Sequence, residues 1–308
     1  MKSRLIYSEE AARASNLHQP VVALESAVIT HGLPRPANIE LAVSLEEEIR
    51  KQGAAPATIA LLDGQIHIGL ERAELERLAN EPVTRKISRR DFAIAMQGRM
   101  CGGTTVAGTL IAASMAGINV FATGGIGGVH RDAPTDVSAD LPELQRRKLV
   151  VVCAGAKAIL DLPATREYLE TAGVPVIGYQ TDEFPAFYSR HSGLDVDFRA
   201  DDPQQIAQIA LKQWDIGIES AILVVNPPPE DTALPSERIE QVIQLALIEA
   251  KQKHIRGAEV TPFLLERVSQ LSGGDSLSAN LALLRNNARL AARISVEINR
   301  LQYPGAMI

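Results

Sequence analysis

"KLVVVCAGAKAILDLPATREYLE", residues 148–170, is the stretch on which the reading of the chain turns. The apolar run 149–153 has the length and β-branched character of a strand buried on both faces. Ala154, Gly155 and Ala156 then open a turn, and the residues from Lys157 onward read as a helix. A short buried strand followed by a helix is the repeating unit of an α/β layered domain. In open sheets of that kind ligands collect beyond the carboxyl ends of the strands, which is where Lys157 falls. A cation in a helix's first turn meets the unfavourable end of the helix dipole, so its presence there asks for a reason. With an ordinary lysine pKa near 10.4, only about one amine in 2,500 is free at neutral pH. Burial or a second cation would be needed to make Lys157 a nucleophile, and the competing reading is a lysine that snorkels to solvent.

The same alternation extends outward in both directions. Strand-like runs lie at 20–26, 57–64, 65–69, 119–125, 174–180 and 220–227, and the "DGQ" at 63–65 predicts a tight hairpin, so the sheet need not be wholly parallel. Helical patterns occupy 36–53, with an early proline and a glycine stop, the segment from Ser236, read as an N-cap, to His254, and a long C-terminal stretch, 276–302. The only proline cluster, 226–235, reads as an ordered loop leaving a strand. With no repeat and no linker-like tract, the 308 residues are expected to form a single domain, 1–308.

Composition limits the functional classes. At 46% hydrophobic and 22% charged the chain has ample material for a core, and a formal charge of −6 argues against a nucleic-acid binder. Cys101 and Cys153 have no metal-ligand spacing and are expected as free thiols in a reducing compartment. The N-terminal residues lack a secretory apolar core, and no apolar run approaches the roughly 20 residues of a membrane span, so a cytoplasmic location is expected.

Besides Lys157, four places carry chemistry on their residues alone. Glu25 follows the apolar run of "VVALES", where burial would keep a carboxyl protonated as a proton donor; pairing with a nearby cation is the plainer reading. "RKISRRD" (85–91) offers Lys86 and Ser88 on one side for a phosphate, or else a solvated basic loop. "CGGTTVAGT" (101–109) and "ATGGIGGVH" (122–130) suit close approach of backbone N–H groups to an anion, with a helix starting near Thr104, yet neither is a Walker or dinucleotide loop. "HRDAPTDVSADL" (130–141) holds Asp132, Asp136 and Asp140, suited to Mg²⁺ or Mn²⁺ or else to solvated turns, and Ser138 could serve as an N-cap.

Taken in order, "VVALESAVITHGLPRPAN", "KISRRD", "GGTTVAGT", "FATGGIGGVHR", "DVSADL", "VVCAGAKAILDLPATREYLET", "GVPVIGYQTDEFPAFY" and "LSGGDSLSAN" resemble the pseudouridine-5′-phosphate glycosidase family, which includes the indigoidine synthase A-like proteins. The resemblance runs from about Pro20 to Ala292. It implies a layered α/β/α fold with a central mixed, largely parallel sheet, and a homotrimer. It implies Glu25 as proton donor and Lys157 as covalent nucleophile. Lys86, Val106, Ser138, Ala139 and Asp140 fall on substrate-binding positions, and Asp136 on the ligand of one Mn²⁺, which Mg²⁺ could replace. Thr123, His130 and Asn280 are expected to line the same pocket. The "DAPT" segment at 132–135 is shorter than the family's usual stretch, while "DVSADL" is intact.

The implied activity is reversible cleavage of pseudouridine 5′-phosphate to uracil and ribose 5-phosphate, in pseudouridine catabolism. It falls in the carbon–oxygen lyase (hydro-lyase) class. Ribose C1′ is joined there to uracil C5 through carbon, so direct departure of the base would leave an unstabilised carbanion, and a pair of carboxylates is mismatched to the task. A lysine that captures the opened ribose as a Schiff base supplies another route. A Schiff-base aldolase acting on another sugar phosphate is the alternative enzyme. A catalytically silent sugar-phosphate or nucleotide binder is the alternative from another class.

Overall fold

The computed structural model of the chain describes residues 5–131, 133–255 and 260–304. The first half runs β1 (Leu5–Tyr7), α1 (Glu9–Asn16), β2 (Val21–Leu24), α2 (Ala37–Lys51), β3 (Ala55–Leu62), β4 (Gln65–Ile68), α3 (Arg72–Asn80), β5 (Arg85–Ile87), α4 (Phe92–Gln97), β6 (Gly102–Thr104), α5 (Val106–Met115) and β7 (Val120–Ala122). The second half runs β8 (Val129–His130), β9 (Ala133–Val137), α6 (Asp140–Arg146), β10 (Val150–Cys153), β11 (Leu160–Asp161), α7 (Leu162–Thr171), β12 (Val176–Tyr179), β13 (Phe198–Ala200), α8 (Pro203–Asp215), β14 (Ile222–Val225), α9 (Ser236–Gln252), α10 (Val260–Leu271) and α11 (Asp275–Gln302). A π-helical turn, Val28–Gly32, follows β2, and a 3₁₀ turn, Arg89–Asp91, follows β5.

Eleven strands form one sheet with the path β1-β4-β3-β2-β7-β10-β14-β12-β13, and β6 joins β5 to β3 beside that path. From β3 to β13 every neighbouring pair on the path is parallel, whereas β3–β4 and β3–β6 are antiparallel. The sheet is therefore mixed and largely parallel, as expected. The apolar runs explain the centre of it: β10 and β14 are buried at every residue, as strands covered on both faces must be. On one face α11 crosses β2, β7 and β10 beside α2 and α8; on the other α5 packs on β2, β3 and β7 beside α6. The Asp63-Gly64 hairpin joins β3 to β4 as predicted.

Three local expectations are corrected. Lys157 is not in a helix's first turn, because the turn after β10 leads to the short strand β11 and α7 begins only at Leu162, capped by the Asp161 side chain. The helix dipole therefore does not act on Lys157. Ser236 lies inside α9 behind Pro235, and its hydroxyl donates instead to the His191 carbonyl at 3.1 Å. The first half of "CGGTTVAGT" is strand β6, and α5 starts at Val106 with Thr105 as N-cap. The sequence pattern does not predict the small antiparallel sheet β11-β8-β9 or strand β5: β5, β8 and β11 have only two or three residues, too few for a period, and the five of β9 have no apolar alternation.

Candidate active site

The path of the sheet changes direction at β2: β3 lies on one side of it and β7, reached later in the chain, on the other. A ligand site is expected in the crevice at such a switch point. Leu24 of β2 is in register with Ala122 of β7, so the next residues, Glu25 and Thr123, emerge side by side, and the Thr123 hydroxyl donates to Glu25 Oε1. Ala122 is also in register with Val152 of β10, beyond which the chain turns to Lys157. That turn is fixed by an Ile126–Ala156 bridge and by the Lys157 amide donating to the Ile126 carbonyl at 3.0 Å.

Lys86 arrives from outside the parallel core. Ser26, directly after Glu25, is fully buried; its hydroxyl donates to the Ile59 carbonyl at 2.5 Å and accepts from the Thr104 amide at 2.9 Å. This ties β6 to the end of β2. β6 in turn pairs with β5, placing Lys86 opposite Gly103. Ser88 is used differently: it caps the 3₁₀ turn reciprocally with Asp91, while Arg85 pairs with Asp91 at 2.7 Å.

Asp140 is buried at the start of α6. Its Oδ1 accepts the Ala107 amide and its Oδ2 the Gly127 amide, both at 2.8 Å, so one carboxylate joins α5 to the glycine-rich turn. Ser138 Oγ accepts from the Asp140 amide at 3.2 Å, and Ala139 is the N-cap of α6. At the start of α5 the amides of Ala107 and Gly108 are taken by Asp140 and Thr105, while that of Val106 has no hydrogen-bond partner among the described residues.

These groups share one electrostatic neighbourhood. Burial pushes the Glu25 carboxyl above its ordinary range; Lys157, the Thr123 hydrogen bond and Lys86 oppose that shift, and Asp140 adds to it. Lys86 is held below the ordinary lysine value, first by burial and then by Lys157, against the pull of Asp140 and Glu25. Glu25 and Lys86 therefore lie within electrostatic reach of each other, of Lys157 and of Asp140, two carboxyls with two amines.

The remaining predicted residues lie on β8, α11 and β9. His130 is on β8, opposite Leu160 of β11, three residues beyond Lys157. Asn280 is on α11, half-buried, with no side-chain hydrogen bond among the described residues. Asp136 is exposed on β9, and Asp132 lies outside the described residues. No cluster of three or more His, Cys, Asp or Glu side chains encloses a metal position among the described residues. A single exposed carboxylate suits a hard divalent ion whose coordination is completed largely by water.

Three participants escaped the sequence reading. His31, in the π-helical turn after Glu25, lies beside Lys86: burial and then the Lys86 charge hold it below the ordinary histidine value, against a hydrogen bond to the Thr84 backbone. Arg131 donates to the carbonyls of Ala158 and Leu160 at 2.8 and 3.0 Å and pairs with Glu240 of α9, bracing the Lys157 turn. Asn287 of α11 donates to the Thr123 carbonyl at 2.9 Å. Only Asn287 carried a sequence signal, as a polar residue within the apolar stripe of an amphipathic helix. An open cavity of about 760 Å³, lined in part by Arg131, Leu160, Glu240 and Ile243, contains none of these four charged groups.

A mixed, largely parallel sheet with an acid and two amines gathered at its switch point defines a class of α/β enzymes equipped for acid and amine chemistry. Residues 10–297 match the family described as indigoidine synthase A like protein. The pseudouridine-5′-phosphate glycosidase of Caldanaerobacter subterraneus is 52% identical over 96% of each chain, and that of Geobacillus kaustophilus 52% identical over 97% of this chain and all (100%) of its own. Among solved structures, a prealnumycin C-glycosynthase in complex with ribulose 5-phosphate superposes with a TM-score of 0.90 at 40% identity, covering 97% of this chain and 98% of its own. An indigoidine synthase A-like protein of Thermotoga maritima gives 0.88 at 36%, covering 97% and 99%. The chain belongs to the pseudouridine-5′-phosphate glycosidase family, the indigoidine synthase A-like proteins. Among the described residues no helix is long and apolar enough to cross a membrane.

Proposed function

We propose that this protein cleaves the C–C glycosidic bond of pseudouridine 5′-phosphate, reversibly, to uracil and ribose 5-phosphate, as a lyase of pseudouridine catabolism in the cytoplasm. The observation that carries the reading is that Glu25 lies within electrostatic reach of Lys157, Lys86 and Asp140 at the switch point. The names of the relatives and the sugar phosphate in the C-glycosynthase complex support the substrate class.

In this reading a protonated Glu25 gives its proton to the ribose ring oxygen, and the uracil π-system assists ring opening. Lys157 Nζ adds to C1′ and sheds a proton. Protonation of uracil C5 then lets the C1′–C5 bond break, its electron pair leaving with uracil, and the resulting iminium joins Lys157 to ribose 5-phosphate. Water hydrolyses the iminium. Lys86, beside Lys157, is the second cation that this chemistry asks for, and it meets the anionic substrate together with the Val106 amide and the Ser138–Asp140 segment. Asp136 would hold one Mn²⁺ or Mg²⁺, which orders waters and offsets phosphate charge when bound. His130 and Asn280 line the sugar and base. The assembly is a homotrimer.

Borohydride trapping with ribose 5-phosphate tests the covalent step. It should add the mass of the reduced sugar phosphate to the wild type and not to Lys157→Ala; equal adducts would reject Lys157. Uracil release from pseudouridine 5′-phosphate should fall at least about 100-fold in Glu25→Ala, the scale of general-acid catalysis. It should also fall on EDTA treatment and recover with Mn²⁺. Consumption of ribose 5-phosphate that does not depend on uracil would favour the aldolase reading instead.

A further inference from the structure

The Glu25 carboxyl is aimed by one hydroxyl, that of Thr123, and what aims Thr123 lies behind it. Asn287 is fully buried in α11, on a stripe with Leu283, Leu284, Leu290 and Ala291. A buried amide in such a stripe is costly unless its polar atoms are paired. Its Nδ2 donates to the Thr123 carbonyl at 2.9 Å and, more weakly, to the Gly124 carbonyl at 3.4 Å. Its Oδ1 accepts from Asn226 Nδ2 at 3.1 Å, and the Asn226 amide donates to the Cys153 carbonyl at 2.8 Å. The two side chains thus join the carboxyl ends of β7 and β14, and the Asn226 backbone N–H ties β10 to them.

Rotating the amide by half a turn would set Oδ1 against two carbonyls, so the network admits one orientation. The helix can come this close because residue 124 is glycine: a Cβ there would press on Leu284 Cδ2 at 3.2 Å. A leucine at position 287 would fill the stripe as well but leave the Thr123 carbonyl without this donor. Packing alone therefore does not account for the asparagine.

We propose that Asn287 is a positioning residue for the proton donor, acting through Thr123 to fix the aim of the Glu25 carboxyl. The proposal rests on the glycosidase reading above. The other groups facing Glu25 are Lys157 from the turn after β10, Lys86 from β5 and Asp140 from α6, and none of them bonds to Asn287.

The test compares Asn287→Ala, Thr123→Val, the double variant and Thr123→Ser. The Thr123 hydroxyl favours the ionised carboxylate, so weakening its bond makes Glu25 hold its proton to higher pH. In Asn287→Ala and in Thr123→Val the basic limb of kcat/KM should move to higher pH, with the plateau falling about 10- to 100-fold from misaimed proton transfer. The double variant should move no further than Thr123→Val, since the two act in series, and Thr123→Ser should keep the limb in place. A readout independent of turnover is the ¹³C titration of the Glu25 carboxyl, assigned with Glu25→Gln, whose midpoint should rise in Asn287→Ala.

An Asn287→Ala protein that loses stability or turnover with the limb and midpoint unmoved would overturn the proposal. Should that variant not fold, Asn226→Ala, which frees the same amide from its other side, decides by the same two readouts. A wild type that releases no uracil would reject the glycosidase reading, while the carboxyl titration would still judge this one.

Discussion

Glu25 holds its position at a cost to the fold. Burial raises its pKa, which means that the folded state binds the proton more tightly than the unfolded state does. The sign is opposite to that of a carboxylate stabilised by an ion pair. The contribution to stability is fully present below the ordinary carboxyl pKa of about 4.3, declines as pH rises toward the folded-state value, and is constant above it. Glu25→Gln keeps the shape without the ionisation. Its urea midpoint should therefore gain on the wild type as pH rises from about 4.3, with the two converging toward acid pH; a constant difference from pH 4 to 8 would remove the buried-acid account. Glu25 and Lys157 were legible from sequence because a polar residue at the end of an apolar run is conspicuous against its neighbours. Arg131 and His31 were not, since their partners are backbone carbonyls and a lysine supplied by distant segments, which periodicity does not report.

At the scale of elements, the site depends on how short segments are braced. The small sheet β11-β8-β9 is continuous with the Lys157 turn on one side and carries Asp136 on the other, so the proposed nucleophile and the proposed metal ligand share one support. The glycine-rich turn before it is packed so closely that a Cβ on Gly127 would collide with Ser138 Oγ and come within 2.8 Å of Asp140 Oδ2. Gly127→Ala must therefore displace the Asp140 carboxylate from the Gly127 and Ala107 amides. Overpacking of this kind costs about 1–3 kcal/mol, and uracil release should fall more steeply than stability does; a variant with lowered stability and undiminished turnover would show that Asp140 need not be held there. The three longest helices, α2, α9 and α11, and the longer strands of the main sheet were readable from hydrophobic pattern together with proline, glycine and capping signals, whereas α8 and α10 were not. The helix start assigned to Lys157 failed because small residues after a strand suit a turn into another strand as well as a turn into a helix, and the capping signal that decides, Asp161, stands four residues further on.

For the whole molecule, the arrangement explains why residues so far apart in sequence meet. Parallel strands all end on one side, so β2, β7, β10 and β14 deliver Glu25, Thr123, the Lys157 turn and Asn226 to the same edge, and α11 lies across them to supply Asn287. This edge is formed within a single chain, and the four charged groups need no partner subunit to come together. The proposed trimer must then act on stability or on access to the crevice rather than on assembling the charges. A closed ring of three chains of 33.2 kDa predicts a particle of about 100 kDa by light scattering. If the charges are complete in one chain, dilution to the point where that mass falls toward 33.2 kDa should leave borohydride trapping at Lys157 detectable while thermal stability drops. Trapping that disappears in step with the trimer would place an essential part of the site across the subunit boundary.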